Sequence, residues 1–349
     1  MTALTIVGAV LPTVTANAAS LDANATVTTA GSGCPLGTST IIPDAAAVAT
    51  GGARALVPAG VQQQDPDAVK SPVLAKIAAM DPTWVQKVDC TITDIKHGPS
   101  HWVGAAPTAG RTSAASSGGT SYNWAGWELP YPEKGNKFHD VGMDWTVGPS
   151  GGTTESDVAE STWPGIGSGG GSYDTLIQAG ADIERGKVAS GIVPWYELFP
   201  QENEVVINSL PVTSAATEYL VNVEYDSSKN TAYFVVCVGS KCANLSQKLS
   251  GTSIAQQAEF IRERNTHPGP LYYPLATSAT ETFKNTGGSS TDGKYSYGFV
   301  PGASTSPTAD MWKITMVSCK NRTMVTPGNP NTSGTFSLTV QDSGDREHC

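Results

Sequence analysis

At 349 residues the chain is long enough for two average domains or for one large β-domain with appendages. A formal charge of −10, from 31 Asp and Glu against 21 Lys and Arg, argues against nucleic acid or an anionic membrane as partner. With only 15% charged residues and 37 glycines, the composition suits a turn-rich β-protein and not a long helical one.

In chain order, Ala3 to Leu11 is almost wholly apolar, and Ala16-Asn17-Ala18 offers an A-x-A cleavage site. This matches the apolar and cleavage regions of a secretory signal over residues 1–19, without the usual basic start. The run is too short for a bilayer, and no other stretch nears the roughly 20 apolar residues a spanning helix needs. Residues 20–103 are Ala- and Pro-rich, with one expected helix over Pro72–Met80 and few strand patterns. Residues 104–120, GAAPTAGRTSAASSGGT, form a low-complexity linker whose single charge is Arg111. Such a segment buries too little to order itself and is a natural site of proteolytic nicking. A signal, a propeptide-like segment, a cleavable linker and then a β-region over 121–349 is the layout of a secreted zymogen. A plain flexible extension is the bland alternative.

From Ser121 onward, short β-like runs alternate with turn signals: Tyr122–Leu129, Ser161–Ile166, Thr175–Ala181, Val193–Phe199, Glu204–Leu210, Glu218–Tyr225, Thr231–Val238, Gln257–Arg262, Met311–Val317 and Gly334–Gln341. Runs such as EYLVNVEY and TFSLTV alternate apolar with polar residues. The pattern predicts an all-β sandwich or barrel, with no internal repeat and no coiled coil. The six cysteines fit an oxidising compartment. Proximity alone pairs Cys237 with Cys242 and Cys319 with Cys349, leaving Cys34 with Cys90.

Several familiar patterns fail on context. Gly148 to Gly152 matches G-x-S-x-G, but it lies in a Gly/Thr/Ser turn without the strand and helix of a nucleophile elbow. The glycine-rich run Ile166 to Ser172 lacks the Lys-Ser/Thr pair of a phosphate loop. His97 and His101 have ligand-like spacing, but Gly98 and Pro99 break the helix that would align them. No metal and no cofactor is expected.

What remains is a set of segments mixing polar groups with aromatics at strand spacing. SYNWAGW carries Trp124, STWPGIG carries Trp163, and TLIQAGAD carries Gln178 and Asp182. In PWYELFP the residues Trp195, Glu197 and Phe199 share one face, and in QAEFIRER so do Glu259, Ile261 and Glu263. Singly, each has a bland reading, since a Gln in a β-run is commonly an edge residue and a Glu is commonly solvated. Together they describe an exposed, concave face of acids, an amide and indoles, suited to a chain-like substrate.

SYNWAG, LIQAGAD, WYELFP, AEFIRE and YYPLATSATETF, in that order, resemble the eqolisins, the glutamic peptidases, over residues 121 to about 341. The resemblance implies a lectin-like β-sandwich of two antiparallel seven-stranded sheets, a propeptide, secretion into acid, and endopeptidase activity on polypeptides without a metal. It implies Gln178 and Glu263 as the catalytic pair, with Glu259 the competitor for the glutamate. It places Trp124, Trp163, Trp195, Asp182 and Glu197 around the cleft. Gly167 departs from the family's common aspartate, and a further acid after WYELFP is displaced, Glu204 being the nearest substitute. A monomer is expected.

The chemistry explains why these two residue types suffice. Amide hydrolysis needs a base to activate water and a donor to meet charge on the carbonyl oxygen. A glutamate supplies the first, a glutamine amide the second without titrating, and optimum activity well below neutrality follows from a carboxylate base. Two alternatives remain: a glycoside hydrolase, which would need two essential acids and leave Gln178 dispensable, and a non-catalytic peptide- or carbohydrate-binding module, prompted by Gly167.

Overall fold

The computed structural model describes residues 118–130, 137–147, 158–167, 175–185, 190–201, 203–213, 216–251, 253, 255–267, 271–276, 279–292, 298 and 311–349, with 26–29, 39–42, 71–80, 82–84, 90–92 and 103 upstream. The signal-like stretch, the His97/His101 pair, most of the linker, the 148–152 turn and the 168–172 glycine run lie outside the described residues.

The long strands are β1 (Trp124–Pro130), β2 (Phe138–Val147), β3 (Val158–Gly167), β4 (Leu176–Arg185), β5 (Ser190–Phe199), β6 (Thr217–Asp226), β7 (Thr231–Val238), β8 (Lys241–Lys248), β9 (Gln257–Arg264), β10 (Glu281–Ser290), β11 (Trp312–Val317), β12 (Thr323–Pro327) and β13 (Phe336–Val340). One layer runs β5-β4-β3-β9-β1-β11, with the short strand Val205–Ile207 on the outer edge of β5. The other runs β13-β10-β2-β6-β7-β8. The two are not separate ladders. Strand β12 pairs with both β11 and β13, so a continuous antiparallel ladder folds over on itself into a sandwich.

Alternation builds the core. In β4 the residues Ile177, Ala179, Ala181 and Ile183 face inward, and Ala258 and Phe260 do the same in β9. From the opposing layer come Val141, Met143, Trp145, Tyr219, Val221 and Phe234. Trp145 stacks on Tyr219 with centroids 5.6 Å apart. Each large side chain buried in this way contributes about 1.5–3 kcal/mol before entropy is counted. A one-residue slip of any strand would turn this apolar set outward, so the register is tightly held.

Two disulfides fall where proximity placed them, Cys237–Cys242 across the β7–β8 hairpin and Cys319–Cys349 at the C-terminus. The Cys34 side of the third pairing lies outside the described residues. The region before Ser121 is more strand-rich than its composition suggests. Ser39–Ile42 and Thr83–Trp84 pair with β8, and Cys90–Ile92 pairs with Val205–Ile207. Helix α1 (Pro72–Ala79) lies on the outer face of the second layer, with Val73, Leu74 and Ile77 fully buried. Among the described residues no helix is long and apolar enough to cross a membrane.

Candidate active site

The outer face of the first layer carries the polar and aromatic groups. Cross-strand register sorts them into rows, each strand contributing alternate residues. One row reads Glu197, Gln178, Gly165, Glu259, Glu128 and Trp312. Two residues along lies Trp195, Gly180, Ile261, Gly126 and Ile314, with Trp163 opposite Ile261. The third row reads Val193, Asp182, Ser161, Glu263 and Trp124. Trp124, Trp163, Leu176, Trp195, Ile261 and Ile314 form a second apolar cluster, distinct from the inter-sheet core.

The predicted pair Gln178 and Glu263, the competitor Glu259 and the cleft residues Trp124, Trp163, Trp195, Asp182 and Glu197 therefore all lie on this face, but the face is not an open one. Gln178, Asp182, Trp163 and Trp195 are fully buried, and Glu197, Glu263 and Trp124 nearly so. The expectation of an exposed groove is corrected accordingly. The indoles fold onto the sheet and onto each other, Trp124 meeting Trp163 edge-on at 5.1 Å. The Trp163 ring fills the space at Gly165, where an added Cβ would stand 2.9 Å from the ring.

The two predicted catalytic groups share the face without touching. Gln178 Nε2 donates to Glu197 Oε2, its register partner, at 2.8 Å. Its Oε1 is buried and accepts no hydrogen bond. Glu263 Oε2 accepts from Trp163 Nε1 at 2.9 Å, and Asn123 Nδ2 approaches Oε1 at 3.5 Å. Both of these donors are neutral. Asp182 accepts from Ser161 Oγ at 2.5 Å, beside Glu263 in register. Trp163 lies between the rows of Gln178 and Glu263 and ties one of them in place.

The competitor, Glu259, shares the row of Gln178, with Gly165 between them. Burial, then the nearby Glu128 and Glu263 carboxylates, hold its carboxyl well above the usual range. Burial pushes the Glu128 carboxyl up to about 8. Glu128 accepts a short hydrogen bond from Gln257 Nε2. Glu128 and Gln257 were missed in the sequence, although period-2 spacing from Trp124 puts Glu128 on the same face. Glu204, the substitute acid, does come near the site: Asp182, Glu184 and Glu204 bring carboxylate oxygens within 4.8 Å of one another.

A profile of the Peptidase A4 family matches residues 122–342. A comparison with curated protein sequences gave no match. Among solved structures, scytalido-glutamic peptidase with a transition state analog inhibitor aligns at 18% identity and a TM-score of 0.48, over 63% of this chain and 98% of that one. SCP-B, a member of the Eqolisin family of peptidases in a complex with a tripeptide, aligns at 18% identity and a TM-score of 0.45 over the same shares. Aspergilloglutamic peptidase from Aspergillus niger aligns at 18% identity and a TM-score of 0.39, over 52% of this chain and 99% of that one. With the family profile spanning the whole sandwich from β1 to β13, the chain belongs to the Peptidase A4 family, the eqolisins, and is a glutamic-type peptidase.

Proposed function

We propose that this chain is a secreted, acid-active endopeptidase in which Glu263 is the general base and Gln178 the oxyanion donor. The observation that carries this reading is the pair of anchors: Gln178 fixed by Glu197, and Glu263 fixed by Trp163, on one sheet face. A primary amide has two N–H groups on Nε2, and Glu197 takes one of them. The other is left to meet a carbonyl oxygen. Glu263 takes a proton from water as the water oxygen attacks the carbonyl carbon. The Gln178 N–H then meets the negative oxygen of the tetrahedral intermediate. Glu263 passes the same proton to the amide nitrogen, the C–N bond breaks, and the carboxylate is regenerated. Glu197 acts through Gln178 as a positioning residue. Trp124, Trp163 and Trp195 provide apolar walls for the polypeptide, with Asp182 on the side of Glu263.

The signal-like start, the disulfides Cys237–Cys242 and Cys319–Cys349, and the Arg111-bearing linker support secretion followed by processing between 104 and 120. The working unit is a monomer that needs no metal or cofactor. The test is cleavage of denatured protein at about pH 4 by the processed enzyme and by Gln178→Ala and Glu263→Gln. Loss of cleavage in both variants supports the pair. Polysaccharide cleavage that survives Gln178→Ala supports a glycosidase instead, and no hydrolysis by the processed wild type supports a binding module.

A further inference from the structure

Glu259 has no part in the chemistry above, yet its surroundings are built around it. Its Oε1 lies 2.2 Å from where a Cβ on Gly167 would stand, so in this position the carboxyl occupies the space that a side chain at residue 167 would need. Its Oε2 is buried and has no hydrogen-bond partner. The charged groups facing it are both acids, Glu128 across the β1–β9 ladder and Glu263 on its own strand. One N–H of the neighbouring Gln257 Nε2 goes to Glu128 Oε1, and no hydrogen bond reaches Glu259 Oε2. Among the described residues neither Glu128 nor Glu259 takes part in an ion pair. Adjacent buried carboxyls without a cation cannot both ionise, and the one lacking donors keeps its proton. A protonated carboxyl is a hydrogen-bond donor, and this one lies in the same cross-strand row as the unsatisfied Gln178 Oε1. That row follows the hydrogen-bonding direction of the sheet, running beneath the Trp163 ring.

We propose that Glu259 is a further functional group of this sheet face: a neutral carboxyl that donates a hydrogen bond to the backbone of the bound polypeptide, in the row of Gln178. The proposal rests on the peptidase reading for its substrate. It differs from the pair Gln178/Glu263 in needing the proton to stay on Glu259 throughout. No proton is transferred, so the group adds binding and orientation, not a second base. Gly167 is then a position that sets where this carboxyl sits, since a side chain there would make it shift.

The experiment compares Glu259→Gln, Glu259→Ala and Gly167→Ala in the processed protein, each checked to be folded by a retained cooperative unfolding transition above the assay temperature. Infrared difference spectra at neutral pH are expected to show a protonated-carboxyl band in wild type that Glu259→Gln lacks. This readout needs no turnover, so it judges Glu259 even where the catalytic pair is wrong. In cleavage assays Glu259→Ala is expected to lose about tenfold in kcat/KM, the worth of one good hydrogen bond. Glu259→Gln, which keeps a donor, restores most of that loss and holds its activity to higher pH than wild type. Gly167→Ala behaves like Glu259→Ala, and the double variant is no worse than either. Absence of the band, wild-type kinetics in Glu259→Ala, or a Glu259→Gln pH profile that superimposes on wild type overturns the proposal. Retained cleavage in Glu263→Gln, by contrast, counts against the catalytic pair and not against Glu259.

Discussion

At the residue scale the site is a set of held side chains. Gln178→Ala is expected to lower kcat by about 10²–10³, the usual cost of removing an oxyanion donor, with the fold retained. Gln178→Glu fares no better, because it replaces a donor by an acceptor beside Glu197. Removing the anchor is milder: Glu197→Ala leaves the amide present but unfixed, and a drop of about tenfold in kcat at unchanged KM is expected. Steady-state kinetics on a peptide substrate read all three. The proposal of Gln178 and Glu263 comes from the ordered motifs. The carboxyl pair Glu128/Glu259 was not, because β1 and β9 are distant in sequence and only their register brings the two acids together. Nor was burial legible: period-2 spacing says which residues share a face, not what covers it.

At the scale of elements, the expected strands are present, with ends shifted by a few residues. Strands β2, β8, β10 and β12 were not predicted, and for β2 and β10 the physical reason is plain. Strand β2 carries Asp140 and Asp144 among its apolar residues, and Asp144 is buried beside helix α1. Strand β10 is interrupted by a register shift between Lys284 and Gly287, with Asn285 at φ 51°, so its alternation is broken. Lys76 of α1 bridges Asp144 at 2.6 Å and Glu218 at 2.7 Å. The upstream helix is thereby clamped to the face opposite the candidate site. Lys76→Ala removes the cation from a fully buried carboxylate. Because Lys76 itself is about a third exposed, the expected loss is only of the order of 1–2 kcal/mol. Hydrogen exchange should show it as faster opening of residues 71–80.

At the scale of the whole molecule, the buried acids make stability depend on pH with a definite sign. Burial lifts Glu128 to about 8 and Glu281 to about 7, and Glu224 and Glu259 are raised as well. In the folded state these groups hold protons that the unfolded chain releases near 4.5. Their contribution is fully present below that pH and is lost as pH rises toward 8. Asp226 opposes this: its hydrogen bonds to Ser228 and Lys229 outweigh burial and lower it, so its contribution is lost in acid. The raised acids outnumber it, and a tenfold change in a carboxyl's acidity on folding is worth about 1.4 kcal/mol. Thermal unfolding is therefore expected at a higher temperature at about pH 5 than at neutrality; the reverse order would mean that these carboxyls are solvated or paired. None of this was legible in the sequence, since nothing in a linear chain shows which glutamates end up buried.

Everything proposed for this molecule depends on an amide and a carboxylate, held on one sheet face, hydrolysing peptide bonds in acid. The direct measurement is the rate of cleavage of a denatured protein across the pH range by the processed enzyme, Gln178→Ala and Glu263→Gln. A maximum well below neutrality in the wild type, with cleavage lost in both variants, is the predicted result. A maximum at or above about pH 7, or cleavage that persists in either variant, would contradict it.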